Sequence, residues 1–136
     1  MKIKRILALV LSMMLMLSII AIPAHASDIV PYWDNTDTVT IAHGYVSGKA
    51  ACSVTIFAFD GTDKIDNVTI TLSKVVGNDL IEIKTWTGLS AKGDTFQFYG
   101  EAEGVTSGSK YRLAVTADVH RNGTVESLDE YSERVY

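Results

Sequence analysis

The sequence predicts an all-β chain: a single antiparallel β-sandwich of about seven strands, preceded by a cleaved leader. Three observations predict it. Apolar residues recur at every second position in run after run, whereas the i, i+3, i+4 spacing of an amphipathic helix is hard to find. Turn-forming clusters arrive every ten to fifteen residues. Both prolines, Pro23 and Pro31, precede the first long strand, so nothing interrupts the ladders that follow.

The leader comes first. Lys2, Lys4 and Arg5 form a basic start, an apolar run extends from Ile6 to Ile22, and Pro23 ends it. Ala24-His25-Ala26 places small residues where a signal peptidase needs them, which predicts cleavage between Ala26 and Ser27. The rival reading is a retained anchor, since the run approaches the ~18 apolar residues a spanning helix needs. Pro23 followed by Ala-x-Ala favours cleavage. The expectation is therefore a signal peptide over 1–26 and one domain over 27–136. The Met-rich apolar run has a bacterial character, and the expected destination is extracellular, with no membrane association after cleavage.

The strands follow in order. Val39, Ile41, His43 and Tyr45 alternate before Gly48. Cys52, Val54, Ile56 and Ala58 alternate next, with Phe57 and Phe59 on the opposite face, and Asp60-Gly61 turns the chain. Val68, Ile70 and Leu72 alternate with Thr69, Thr71 and Ser73 up to Gly77-Asn78-Asp79. A β-rich stretch from Leu80 to Thr87 is bounded by Gly88, and a short strand marked by Phe96 and Phe98 is closed by Gly100. The sixth strand carries Tyr111, Leu113, Val115, Ala117 and Val119 on one face, and the seventh runs from Gly123 to about Tyr131. Asn122-Gly123 between them is a hairpin signal, because a type I′ turn needs positive φ at both central residues. Seven short strands in roughly a hundred residues is the immunoglobulin-like or fibronectin-like count, and Tyr111 has the position of a tyrosine corner.

Composition excludes several function classes. Residues 27–136 hold all 16 acidic residues but 9 of the 12 basic ones, for a formal charge of −7. That acidity argues against nucleic acid and anionic lipid, both of which need a basic footprint. The lone Cys52 makes no intramolecular disulfide and sits in an apolar alternating strand, where a small buried hydrophobe is the favoured reading. After cleavage His43 and His120 are the remaining histidines, and neither has the neighbours of a catalytic or zinc motif. His43 reads as a core-edge residue and His120 as a solvated one beside the hairpin turn. No enzyme activity and no cofactor are expected.

Acidic and amide oxygens gather in Asp34 to Asp37 and in Asp60, Asp63 and Asp66, as calcium ligands do. The spacing fits no EF-hand, and such residues form ordinary turns, so the three latter aspartates stand as weak calcium candidates only. The aromatics Tyr32, Trp33, Trp86, Tyr99, Tyr131 and Tyr136 outnumber what the alternating faces absorb. Some of them on one sheet would make a platform for a glycan or a peptide; Trp33, Trp86 and Tyr99 are the expected contact residues. The competing assignment puts Trp86 between the sheets. The sequons Asn67-Val-Thr69 and Asn122-Gly-Thr124 are idle behind a bacterial-type leader.

Trp86-x-Gly88, Phe96-Gln97-Phe98, GSKYRLAV, RNGTVES and the closing SERVY resemble small secreted β-sandwich proteins of Firmicutes, best over the second half of the chain. The resemblance implies a signal peptide and one short sandwich; it supplies no catalytic residues. Together these readings predict a secreted noncatalytic binding module acting on an extracellular glycan or protein. A secreted antibacterial or toxin-like antagonist is the alternative, and a small hydrolase using loop carboxylates ranks last.

Overall fold

The computed structural model describes residues 32–136; the leader and its expected cleavage site lie outside them. Those residues form seven strands: β1 (Thr36–Val46), β2 (Lys49–Ala58), β3 (Thr62–Val76), β4 (Asp79–Lys92), β5 (Thr95–Glu103), β6 (Lys110–Arg121) and β7 (Thr124–Val135). They pair antiparallel into a three-stranded sheet ordered β1-β2-β5 and a four-stranded sheet ordered β4-β3-β6-β7. Three hairpins stay within a sheet, and the chain crosses between sheets from β2 to β3, β4 to β5 and β5 to β6. Across the open sides, β1 approaches β6 and β7 while β4 approaches β5.

The core is what the alternation predicts. Cys52, Val54 and Ile56 from β2 meet Ile65, Val68, Ile70 and Leu72 from β3 and Tyr111, Leu113, Val115 and Val119 from β6, all fully buried. Burying each large aliphatic side chain stabilises the fold by about 1.5–3 kcal/mol, which is why register is strongly specified here. The tyrosine corner forms: the Tyr111 hydroxyl accepts the Thr106 N–H at 2.7 Å. At the predicted hairpin, Asn122 and Gly123 both have positive φ (50° and 76°), as the type I′ turn requires.

β7 continues to Val135, past the expected end near Tyr131, and three other expected boundaries move, each for a local reason. β3 begins six residues before Val68, because Asn67 (φ 50°) is an extra residue that breaks the alternation. Ile65 and Val68 consequently both face the core although they are three apart. β4 runs through Gly88 instead of ending there: Val68 pairs with Leu89 and Ile70 with Trp86, so Gly88 (φ 68°) belongs to a bulge. β5 runs through Gly100, which pairs with Cys52. Gly100 is small for a packing reason. A Cβ there would lie 2.4 Å from Phe98 Cζ and 3.0 Å from Trp86 Cζ2.

Candidate functional site

The outer face of the three-stranded sheet is built by the residues that alternate with the core positions. Register sets Thr40, Thr55 and Gln97 in one row, Ala42, Ser53 and Tyr99 in the next, then Gly44, Ala51 and Glu101. Small side chains on β1 and β2 beside a large one on β5 leave a shallow depression of about 300 Å³. Ala42, Gly44, Ala51 and Ser53 form its floor, Tyr99 and Arg134 flank it, and His43 and Cys52, which lie on inward positions, complete the lining. Tyr99 is 67% exposed, and its hydroxyl donates to Glu101 Oε1 at 3.1 Å, which fixes the ring along its own strand. That hydrogen bond to the carboxylate, with its charge, raises the Tyr99 pKa above the ordinary tyrosine value.

Arg134 reaches the depression from β7. Its Nη1 donates to the His43 carbonyl at 3.1 Å, bridging the open side between β7 and β1. The adjacent Glu133 gives it no partner, because that carboxylate accepts from Arg112 Nη2 at 2.7 Å and pairs with Lys110 at 2.9 Å. No ion pair among the described residues includes Arg134. His43 itself is 5% exposed; its Nδ1 contacts the Tyr45 hydroxyl and its Nε2 has no hydrogen-bond partner. Burial, and then the Arg134 charge, hold the His43 pKa below the ordinary value. Cys52 is a buried thiol, pushed up to about 11 by burial.

The three expected contact residues do not share a surface. Trp86 lies opposite Ile70, on the inward face of β4, with its ring 5.1 Å from that of Phe98. Trp33 is half-buried against the core just before β1, where the Glu126 carboxylate accepts the main-chain N–H groups of Asp34 and Asn35. Tyr99 alone stands on an open sheet face. The reason is the pleat: adjacent positions on β5 put Phe98 inside and Tyr99 outside.

The aspartates expected as weak calcium candidates also separate. The Asp60 carbonyl accepts Arg121 Nε, the Asp63 carbonyl accepts Gly93 N–H, and the Asp66 carboxylate is taken by Lys64 and by His120 Nε2 at 2.7 Å. The Lys64 hydrogen bond, then that of His120, lowers the Asp66 pKa against the opposing effect of burial. Among the described residues no three His, Cys, Asp or Glu side chains converge to hold a metal ion. His120 is thus a cross-strand partner, with a quarter of its side chain exposed, where the sequence predicts a solvated residue. Ser127 donates to Asp118 at 2.7 Å while His120 pairs with Asp66, so the serine, histidine and carboxylates of this face form two separate pairs rather than a relay.

Sequence reasoning missed Arg134 and the small-residue floor. Ala42-x-Gly44 and Ala51-x-Ser53 at outward strand positions were the available signal. The chain matches no protein-family model, and no curated protein matches it.

Proposed function

We propose that this chain is a secreted, noncatalytic glycan-binding module of the fibronectin-like sandwich type. It uses the outer face of the three-stranded sheet. The order β1-β2-β5 against β4-β3-β6-β7 supports the finer topology, and the leader read in the sequence supports an extracellular or cell-envelope setting. The observation that carries the function is Tyr99: two-thirds exposed, held by Glu101, and set beside a floor of Ala42, Gly44, Ala51 and Ser53.

A sugar ring has an apolar C–H face that stacks on an aromatic ring and a polar rim that seeks hydrogen bonds. The Tyr99 ring meets the first need at low entropic cost, and the Ser53, Thr55 and Gln97 side chains lie in register to meet the second. A sheet positions these groups more rigidly than a loop does. The test is titration calorimetry of the purified protein against soluble cell-wall and plant-wall oligosaccharides. At least one is expected to bind, and Tyr99→Ala is expected to weaken it about tenfold or more while leaving the melting temperature unchanged. Equal affinity in the variant removes this face from consideration.

A further inference from the structure

We infer that the glycan this face accepts is acidic, and that Arg134 reads its carboxylate. The inference rests on the glycan-binding reading of the Tyr99 face and names the chemistry of its ligand. Among the described residues that line the depression, Arg134 is the one that carries a formal charge, in a chain whose charge is otherwise predominantly negative. A guanidinium carries five N–H donors in a planar fork that matches a carboxylate. One nitrogen is committed to the His43 carbonyl at 3.1 Å, which fixes the fork in place. No carboxylate among the described residues takes the remaining donors, because Glu133 is held on the outer face of β7 by Lys110 and Arg112. His43, kept neutral by burial, does not compete for the anion.

The geometry also gives the ligand a direction. Tyr99 stands on β5, the floor crosses β2 and β1, and Arg134 reaches in from beyond β1. Two strand spacings separate β5 from β1, roughly 10 Å, so a ring stacked on Tyr99 leaves room for a second ring towards Arg134. Glu101, which accepts the Tyr99 hydroxyl, lies at the opposite end and repels a carboxylate placed there. A neutral ring therefore stacks on Tyr99, and the charged substituent belongs to the neighbouring unit over Ala42 and Gly44.

The experiment compares matched pairs that differ only in charge. One pair is an alternating N-acetylglucosamine–N-acetylmuramic acid tetrasaccharide and its methyl ester. The other is an alternating N-acetylglucosamine–glucuronate tetrasaccharide and its methyl ester. In calorimetry with the wild-type protein, the acid of at least one pair is expected to bind about tenfold or more tightly than its ester, the worth of a charge-assisted hydrogen bond. Arg134→Gln is expected to erase that preference and leave the ester's affinity as it was. Arg134→Lys, which keeps the charge and loses the fork, is expected to retain part of it. Tyr99→Ala weakens acid and ester alike.

Equal binding of acid and ester by the wild-type protein overturns the inference and leaves the glycan site standing. A preference for acid that survives in Arg134→Gln also overturns it, since the carboxylate is then read elsewhere. If neither pair binds, the acidic-ligand inference fails. Binding of a neutral oligosaccharide in the Tyr99 titration then decides separately whether the face is a glycan site.

Discussion

Gly100→Ala is expected to destabilise this protein, although the backbone at that position suits any residue. Gly100 does not have a positive φ, so alanine fits its conformation and would reduce the entropy lost on folding by roughly 0.5–1 kcal/mol. Packing opposes that gain. The new Cβ would sit 2.4 Å from Phe98 Cζ, 3.0 Å from Phe98 Cε1 and 3.0 Å from Trp86 Cζ2. The Phe98 ring has no easy retreat, because Trp86 packs against it, tilted by 60° at 5.1 Å, and Trp86 in turn packs against the buried core.

Overpacking of this kind costs about 1–3 kcal/mol, and the disturbed ring pair adds part of its own ~0.5–1.5 kcal/mol. The loss exceeds the entropic gain. A net of about 2 kcal/mol corresponds to a fall in Tm on the order of 10 °C in a domain of this size. Urea denaturation followed by far-ultraviolet circular dichroism measures it. Phe98→Leu removes the ring tip that the Cβ strikes, so Gly100→Ala is expected to cost less in that background than in the wild type. A Gly100→Ala protein as stable as the wild type, or more so, refutes the packing argument and with it the assignment of Trp86 to the interior.

Tyr111→Phe removes the acceptor of the Thr106 N–H and is expected to cost about 1–2 kcal/mol in urea denaturation, with no effect on glycan titrations; an unchanged midpoint denies the corner a structural role. Cys52, with its thiol near 11 and no exposed surface, is expected to resist a thiol reagent in the native state and react fully in denaturant; rapid native labelling contradicts the packing described. His43 stays neutral in the folded chain where the unfolded chain takes up a proton, because burial and Arg134 lower its pKa from the ordinary 6.5. Stability is therefore complete above about pH 6.5 and declines as pH falls from there towards the folded-state pKa. His43→Gln is expected to flatten that stretch of a Tm–pH series, and an unaltered slope sinks the assignment.

Period-two alternation made the inward faces of β2 and β6 legible, since Val54 and Ile56, or Leu113 and Val115, obey it without exception. It failed at Asn67 and Gly88, where an extra residue in the strand resets the phase, and no local spacing distinguishes such a bulge from a strand end. The same alternation marks Tyr99 as facing opposite to Phe98, yet it cannot say what stands beside either. Trp86 finds Phe98 because β4 and β5 approach each other across the open side between the two sheets. Ser53 and Ala42 come beside Tyr99 because the chain crosses away at β3 and returns at β5 to pair with β2.

Arg134 depends on the topology most of all. It lies 91 residues from His43 in the chain, and its donor meets that carbonyl because the edge strands of the two sheets close on the same side. Glu133 and Arg134 are neighbours of opposite charge in the sequence. The pleat sends the carboxylate to the outer face, where Arg112 and Lys110 hold it, and leaves the guanidinium at the opposite edge. Two adjacent opposite charges are thereby split by one step of a β-strand. The positive one stands across the small-residue floor from the exposed ring of Tyr99.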